Sequence, residues 1–175
     1  MKLRRKQTEE ILTDMMKRPI PRKRVGIVHL EMVREHRALY GMKRFSHPKE
    51  AAELAAPLFS MADREMMVVM SLDVKLEPLA LEIAAVGGLN ACVVDVKNMF
   101  KHSLLNNAAY IVCFHNHPSG DPSPSLEDKQ VTERIGKAGA VLGIPLIDHI
   151  IVCGHGFYSF REHGQMEWIE PDPAA

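Results

Sequence analysis

Cysteine is scarce in this chain: Cys92, Cys113 and Cys153 are the only three, each within or beside an apolar segment and none in a C-x-x-C spacing. That excludes a disulfide framework and leaves buried, reduced thiols. No apolar run approaches the roughly 20 residues that a membrane span needs, and no apolar core follows the charged start as it would in a signal peptide. The expected location is therefore the cytoplasm, with no membrane partner. Net charge is also missing, because 22 Lys and Arg balance 22 Asp and Glu over 175 residues. Overall charge thus points to no partner, and neither an internal repeat nor a low-complexity segment interrupts what reads as one globular domain with a short appendage.

The charge is nevertheless uneven. Met1 to Arg24 holds nine basic residues against Glu9, Glu10 and Asp14. Such a run could contact nucleic acid, but it lacks aromatics for stacking on bases, and a solvated, partly helical N-terminal arm over 1–24 is the simpler reading. Within it Ile11, Leu12, Met15 and Met16 follow helical spacing after Thr8, and Pro19 and Pro21 break the pattern, so Arg18 to Arg24 reads as a linker.

Residues 25–175 then alternate strand-like and helix-like segments. Val25 to Val33 has strand composition, and Ser46 is placed to cap a helix carrying Ala51, Leu54, Ala55 and Leu58, with Pro57 bending or ending it. Met66 to Leu72 reads as a strand buried on both faces, pairing with Leu79 to Val86. Asp95 to Asn106 predicts a helix with Val96, Met99, Phe100, Ser103 and Leu104 inward. Ala108 to Phe114 is a further buried strand. A helix from Ser125 presents Val131, Ile135, Ala138 and Leu142 before Gly143 and Pro145, and Leu146 to Cys153 with Phe157 to Phe160 forms a hairpin. The class is α/β, in the mixed α+β sense, around a central sheet.

The chemistry concentrates where the strand Ala108 to Phe114 runs into His115-Asn116-His117. Side chains alternate along an extended chain, so both imidazoles face one side of the strand end. Pro118-Ser119-Gly120 turns the chain, Gly120 being able to take a positive φ, and Pro122 and Pro124 stiffen its return. Ser125 and Asp128 have capping-box spacing, which places the Asp128 carboxylate in the first helical turn, looking back at the histidine pair. Two imidazoles and a carboxylate suit Zn²⁺ and leave a fourth tetrahedral position for water, as in hydrolytic sites. Alone, an H-x-H pair is usually incidental and an aspartate in a first turn is usually a cap. The conjunction of strand end, rigid turn and capped helix carries the metal reading.

The spacing of His115, His117, Ser125 and Asp128 resembles the signature of the JAMM (JAB1/MPN/Mov34) metalloprotease superfamily. The longer string His115-Asn116-His117-Pro118-Ser119-Gly120-Asp121-Pro122-Ser123-Pro124-Ser125-Leu126-Glu127-Asp128 looks like its bacterial RadC branch, as do Asn107-Ala108-Ala109 before it and Leu142 to Val152 after it. The likeness spans Ser46 to Phe160. It implies a cytidine-deaminase-like JAB/MPN fold, one zinc ion on His115, His117 and Asp128, and a peptide or protein substrate cleaved at a peptide or isopeptide bond. It also implies an upstream glutamate acting as general acid/base. Glu65 matches that glutamate by position, with Glu82 in the next strand as competitor, and Ser125 would steady the oxyanion or the bound water.

Two departures bear on partners. The first 45 residues lack the glycine hairpins of the helix-hairpin-helix region that RadC proteins commonly carry, which weakens a DNA role. Asp95-Val96-Lys97-Asn98 stands where relatives tend to have Pro-Arg-Glu. A nucleic-acid-associated accessory protein, with the zinc domain as docking module, stays as the second expectation. Zinc-dependent deamination does not, since the chain lacks the H-x-E and P-C-x-x-C pattern it needs. His149, after Asp148, is expected to pack or to support a ligand rather than ligate. Cys113 shares strand parity with the histidines but reads as a core thiol.

Overall fold

A computed structural model describes residues 9, 10, 13, 14, 17, 47–87, 94–154 and 156–166. The chain divides into two compact units, Met1–Leu30 and Glu31–Ala175. In the first, residues 9, 10, 13 and 14 are helical, as the Thr8 to Lys17 pattern predicts, and Thr13 Oγ1 donates to the Glu9 carbonyl at 2.8 Å. The linker from Arg18 to Arg24, the strand from Val25 to Val33 and the Ser46 cap fall outside the described residues.

In the second unit, α1 (Pro48–Ala55) begins with proline at its first position and His47 at the N-cap, without a side-chain cap bond. Proline serves there because its missing N–H would be unpaired in any case. Pro57 ends the helix as expected, in a 3₁₀ turn, Ala56–Phe59. Strands β1 (Met66–Leu72) and β2 (Pro78–Val86) form an antiparallel pair, followed by α2 (Val96–Leu105) and β3 (Tyr110–Asn116). Helix α3 (Leu126–Leu142), β4 (Leu146–Cys153) and β5 (Gly156–Ser159) complete the described unit.

The strands form one mixed sheet in the order β2-β1-β3-β4-β5, antiparallel except for the parallel pair β3/β4. That parallel pair requires a crossover, and α3 supplies it. The expected mixed α/β sheet with flanking helices is what the structure shows.

Alternation sorts the strands onto two cores. Val68, Met70 and Leu72 with Tyr110, Val112 and Phe114 pack against Ala51, Ala52 and Ala55 of α1. Met67, Val69, Ile111 and Cys113 pack instead against Met99 and Phe100 of α2 and Ile135 of α3. Burying each large apolar side chain stabilises by about 1.5–3 kcal/mol, so both faces of β1 and β3 hold the fold. His115 continues the parity of Ile111 and Cys113, and so emerges on the α2/α3 face.

Helix α3 lies close to the strand that follows it. A Cβ at Gly139 would stand 2.6 Å from the Ile144 carbonyl oxygen, so only glycine permits this approach. Gly143 caps the helix at φ 68°, in the left-handed region, before the chain enters β4.

Two inward assignments are corrected. Leu104 is 51% exposed while His102 is buried, and Leu142 is 43% exposed while Thr132 and Gly139 are buried. Both leucines lie in the last turn of their helices, where the buried positions facing the sheet are taken instead by Ser103 and Gly139. Ser103 is inward as expected, its Oγ 3.0 Å from Ser71 Oγ on β1. Cys113 is a fully buried core thiol, and burial pushes its pKa well up. Cys113 and Cys153 are both free. Among the described residues no helix is long and apolar enough to cross a membrane.

Candidate metal centre

The last residues of β3 and the first turn of α3 meet at one end of the sheet. Between them, Gly120 takes φ 86°, and its N–H donates to the His117 carbonyl at 3.0 Å. The Asp121 carboxylate accepts from the Ser123 N–H at 2.9 Å and holds the return of the turn. Ser125 then closes a full capping box. Its hydroxyl accepts from the Asp128 N–H at 3.1 Å and donates to Asp128 Oδ2 at 2.6 Å, and its own N–H donates to the same oxygen at 2.8 Å. Two donors on Oδ2 leave Oδ1 as the less engaged oxygen of Asp128.

This bracket brings the three expected ligands together. His115 Nε2 and His117 Nε2 are 2.9 Å apart, His115 Nε2 is 3.3 Å from Asp128 Oδ1, and His117 Nε2 is 3.4 Å from Asp128 Oδ2. A tetrahedral ion with bonds of about 2.0–2.2 Å separates its ligand atoms by roughly 3.3–3.6 Å, so the spacing fits such an ion with a small outward shift of the imidazoles. His117 Nδ1 lies 2.7 Å from the Asp121 carbonyl, which can only accept, so this nitrogen carries the proton and Nε2 presents a lone pair inward. A lone pair facing a second imidazole nitrogen and a carboxylate makes a site that attracts a cation, whether proton or metal.

The electrostatics agree. Burial alone would raise the Asp128 pKa, but hydrogen bonding to His115, His117 and Ser125 outweighs it and holds the carboxyl well below the usual carboxylate range. The hydrogen bond with Asp128 raises His117 against the opposing effect of burial. Asp128 is therefore an anion at any physiological pH, and His117 keeps its proton longer than a free histidine when no metal competes.

Glu65 precedes β1, half-buried, and lines the same cleft of about 460 Å³ as His115, His117, Ser125 and Asp128, together with the apolar Met67, Val94 and Val131. Glu82, the competing carboxylate, does not line it. Its Oε2 lies 2.8 Å from His102 Nδ1 on α2 without hydrogen-bond geometry, and burial lowers the His102 pKa despite that neighbour.

Sequence reasoning missed two residues. Asn116, between the histidines and 4% exposed, accepts from the Met66 N–H at 2.8 Å and donates to the Arg64 carbonyl at 3.0 Å. It thereby grips the backbone on both sides of Glu65, whose own carbonyl accepts from Gly87 N–H at 2.8 Å. A polar residue inside an otherwise apolar strand was the available signal, since a buried amide needs partners. Thr132, one turn beyond Asp128, is likewise buried, and its hydroxyl lies 2.6 Å from His149 Nδ1. His149 in turn approaches His115 rather than the cleft, with Nε2 2.8 Å from His115 Nδ1, and stacks on Phe160.

Comparison with known proteins supports the same region. The family described as RadC-like JAB domain matches residues 45–165. A UPF0758 protein of Shouchella clausii is 44% identical over 119 residues, covering 68% of this chain and 52% of that protein. UPF0758 proteins of Methanosarcina mazei and Listeria monocytogenes are 38% and 41% identical over 122 and 117 residues, covering 70% and 67% of this chain and 53% and 52% of theirs. The chain thus spans about half the length of the curated relatives it matches.

Proposed function

This chain belongs to the RadC-like JAB domain family, and from that membership and the geometry of its cleft we propose that it is a zinc-dependent hydrolase of peptide or isopeptide bonds. The carrying observation is the convergence of His115 Nε2, His117 Nε2 and the Asp128 carboxylate in one cleft with Glu65. His115, His117 and Asp128 would hold the ion. When bound, it would act as a Lewis acid and bring the pKa of a coordinated water down to about 7.

The chain's own residues supply the rest. The Glu65 carboxylate takes the proton of the attacking water and delivers it to the leaving amine, so its backbone must be held still relative to the ligands. Asn116 does this from between the two histidine ligands, at the end of β3. Ser125 has one hydroxyl proton and directs it to Asp128 Oδ2. In this arrangement it orients the ligand, and it would have to turn away from Asp128 to serve an oxyanion. Met67, Val94 and Val131 give the cleft an apolar wall that can exclude water from the backbone of an extended peptide.

A second reading, an accessory protein bound to nucleic acid, is favoured by the nine basic residues of Met1 to Arg24. The cleft itself does not suit it. Its described lining contains Glu65, Asp121, Glu127 and Asp128 and no Lys or Arg, a field that repels phosphodiesters. DNA would have to bind the arm, and salt-sensitive binding that disappears on deleting residues 1–24 would favour this reading.

A peptide-cleavage screen on zinc-loaded protein separates the alternatives. Wild type is expected to cleave, Glu65→Gln to retain metal without turnover, and His117→Ala to lose both. Cleavage by Glu65→Gln at the wild-type rate would remove Glu65 from the mechanism.

A further inference from the structure

Behind the ligand cluster a line of buried polar side chains leads from β3 through β4 to α3. His115 Nδ1 is 2.8 Å from His149 Nε2, and His149 Nδ1 is 2.6 Å from Thr132 Oγ1. The Thr132 hydroxyl donates to the Asp128 carbonyl at 2.6 Å. His115 and Thr132 are each 4% exposed and His149 is 0% exposed, so the line is buried behind the cleft that His115 faces.

Proton counting gives this line a direction. The Thr132 hydroxyl has a single hydrogen, and it is directed to the Asp128 carbonyl. Oγ1 therefore meets His149 Nδ1 as an acceptor, which places the His149 proton on Nδ1 and leaves Nε2 bare. A bare His149 Nε2 can only accept, so His115 carries its proton on Nδ1, and the His115 lone pair falls on Nε2, facing His117 and Asp128. The opposite polarity also satisfies both histidine contacts, and it would add a donor between His115 Nε2 and His117 Nε2, 2.9 Å apart. In it Thr132 donates to His149, His149 donates from Nε2, and His115 must hold its proton on Nε2, where a metal would sit. The Asp128 carbonyl selects between the two by taking the Thr132 hydrogen.

We propose that Thr132 and His149 are positioning residues forming a tautomer lock, which keeps the His115 lone pair on Nε2 and so prepares the centre to accept a metal ion. Ligand and lock share one helix, Asp128 at its first turn and Thr132 a turn later, so docking α3 on the sheet sets both. His115 donates through its outer nitrogen, as metal-ligating histidines generally do, but its acceptor here is a second histidine whose own tautomer must be fixed. The proposal rests on the metal reading of the site only for its affinity measurement, because the tautomers are defined in the metal-free protein.

The test uses metal-free full chain labelled with ¹⁵N-histidine, at a pH well above the usual histidine range, with long-range ¹H–¹⁵N correlations that distinguish Nδ1–H from Nε2–H. Zinc affinity is measured in parallel by competition with a chromophoric chelator. Wild type should show Nδ1–H at both His115 and His149. Thr132→Val keeps the shape but removes the acceptor, and it should move a proton to Nε2 on at least one of them and weaken zinc binding by roughly ten- to hundredfold. Thr132→Ser should restore both readouts. Nε2–H at His115 in wild type overturns the proposal, even if Thr132→Val fails to fold. Unchanged tautomers and affinity in Thr132→Val overturn it equally. A wild type that binds no zinc but shows both Nδ1–H tautomers refutes the metal reading and leaves the lock standing.

Discussion

Removing Asp148 should change the pH response of this protein between about pH 4 and 6. It sits beside His149 in β4 but faces the other way, 3% exposed, accepting from Ser159 Oγ at 2.6 Å and from the N–H groups of His149 and Arg161 at 2.8 and 3.1 Å. Burial raises its pKa, the hydrogen bonds from Ser159 and the two backbone groups only partly offset this, and the carboxyl is pushed up to about 6 from 3.8. Because the folded value lies above the unfolded one, the native state binds the extra proton between these limits. The favourable contribution is complete below about pH 3.8 and is lost as pH rises toward 6. At about 1.4 kcal/mol for each unit, the loss across that window is about 3 kcal/mol. Asp148→Asn is neutral throughout, keeps an acceptor for the two N–H groups, and offers its amide to Ser159 Oγ. Urea unfolding of both metal-free proteins at intervals from pH 4 to 7 measures the effect, since the titrations they share cancel in the difference. Wild type should lose stability relative to Asp148→Asn by about 3 kcal/mol across the window. A difference that stays flat would show that burial does not dominate this carboxyl.

Further outcomes follow from the same contacts. Asn116→Ala leaves the Met66 N–H and the Arg64 carbonyl without their partner; zinc stoichiometry should stay at the wild-type value while cleavage falls and Met66 amide exchange accelerates, and unchanged exchange would discount the grip on Glu65. Gly139→Ala sets a Cβ against the Ile144 carbonyl oxygen at 2.6 Å and must push α3 off the sheet. It should destabilise by about 1–3 kcal/mol in urea unfolding and weaken zinc binding, because Asp128 travels with the helix. Zinc affinity of wild type should fall with acidification, beginning at a pH above that of a free histidine, because the proton that Asp128 stabilises on His117 competes with the metal. A titration of affinity against pH that shows no dependence there would separate His117 from the ligand set.

The centre was readable from the sequence because each of its parts is a local device. Period-two alternation aligns His115 with His117, Gly120 adopts the positive φ its turn needs, and Ser125 with Asp128 forms the capping box its spacing announces. None of these depends on distant chain. The sheet order does, and so does the environment of His149. A register shift between Ile111 and Val112, where β4 pairs with β3, changes the parity of β4 so that His149 lies beside Cys113 on the metal face while Asp148 faces α1. Nothing in the apolar pattern of Leu146 to Cys153 reveals that shift. Asn116 and Thr132 were legible only as polar residues at buried positions. Their partners, the backbone around Glu65 and the His149 ring, come from segments 50 and 17 residues away. The exposed Leu104 and Leu142 mark the opposite failure, in which the apolar period places leucines inward in final turns where Ser103 and Gly139 are the residues that are buried.

The proposed chemistry turns on one property, the holding of one metal ion by His115, His117 and Asp128. Its most direct test is elemental analysis of the full chain after equilibrium dialysis against buffered Zn²⁺, compared with Asp128→Ala and His117→Ala. One zinc per chain in wild type, lost from both variants while their folded circular dichroism persists, is the predicted result. Wild type without zinc, or variants that retain it in the same amount, would remove the metal from these three residues.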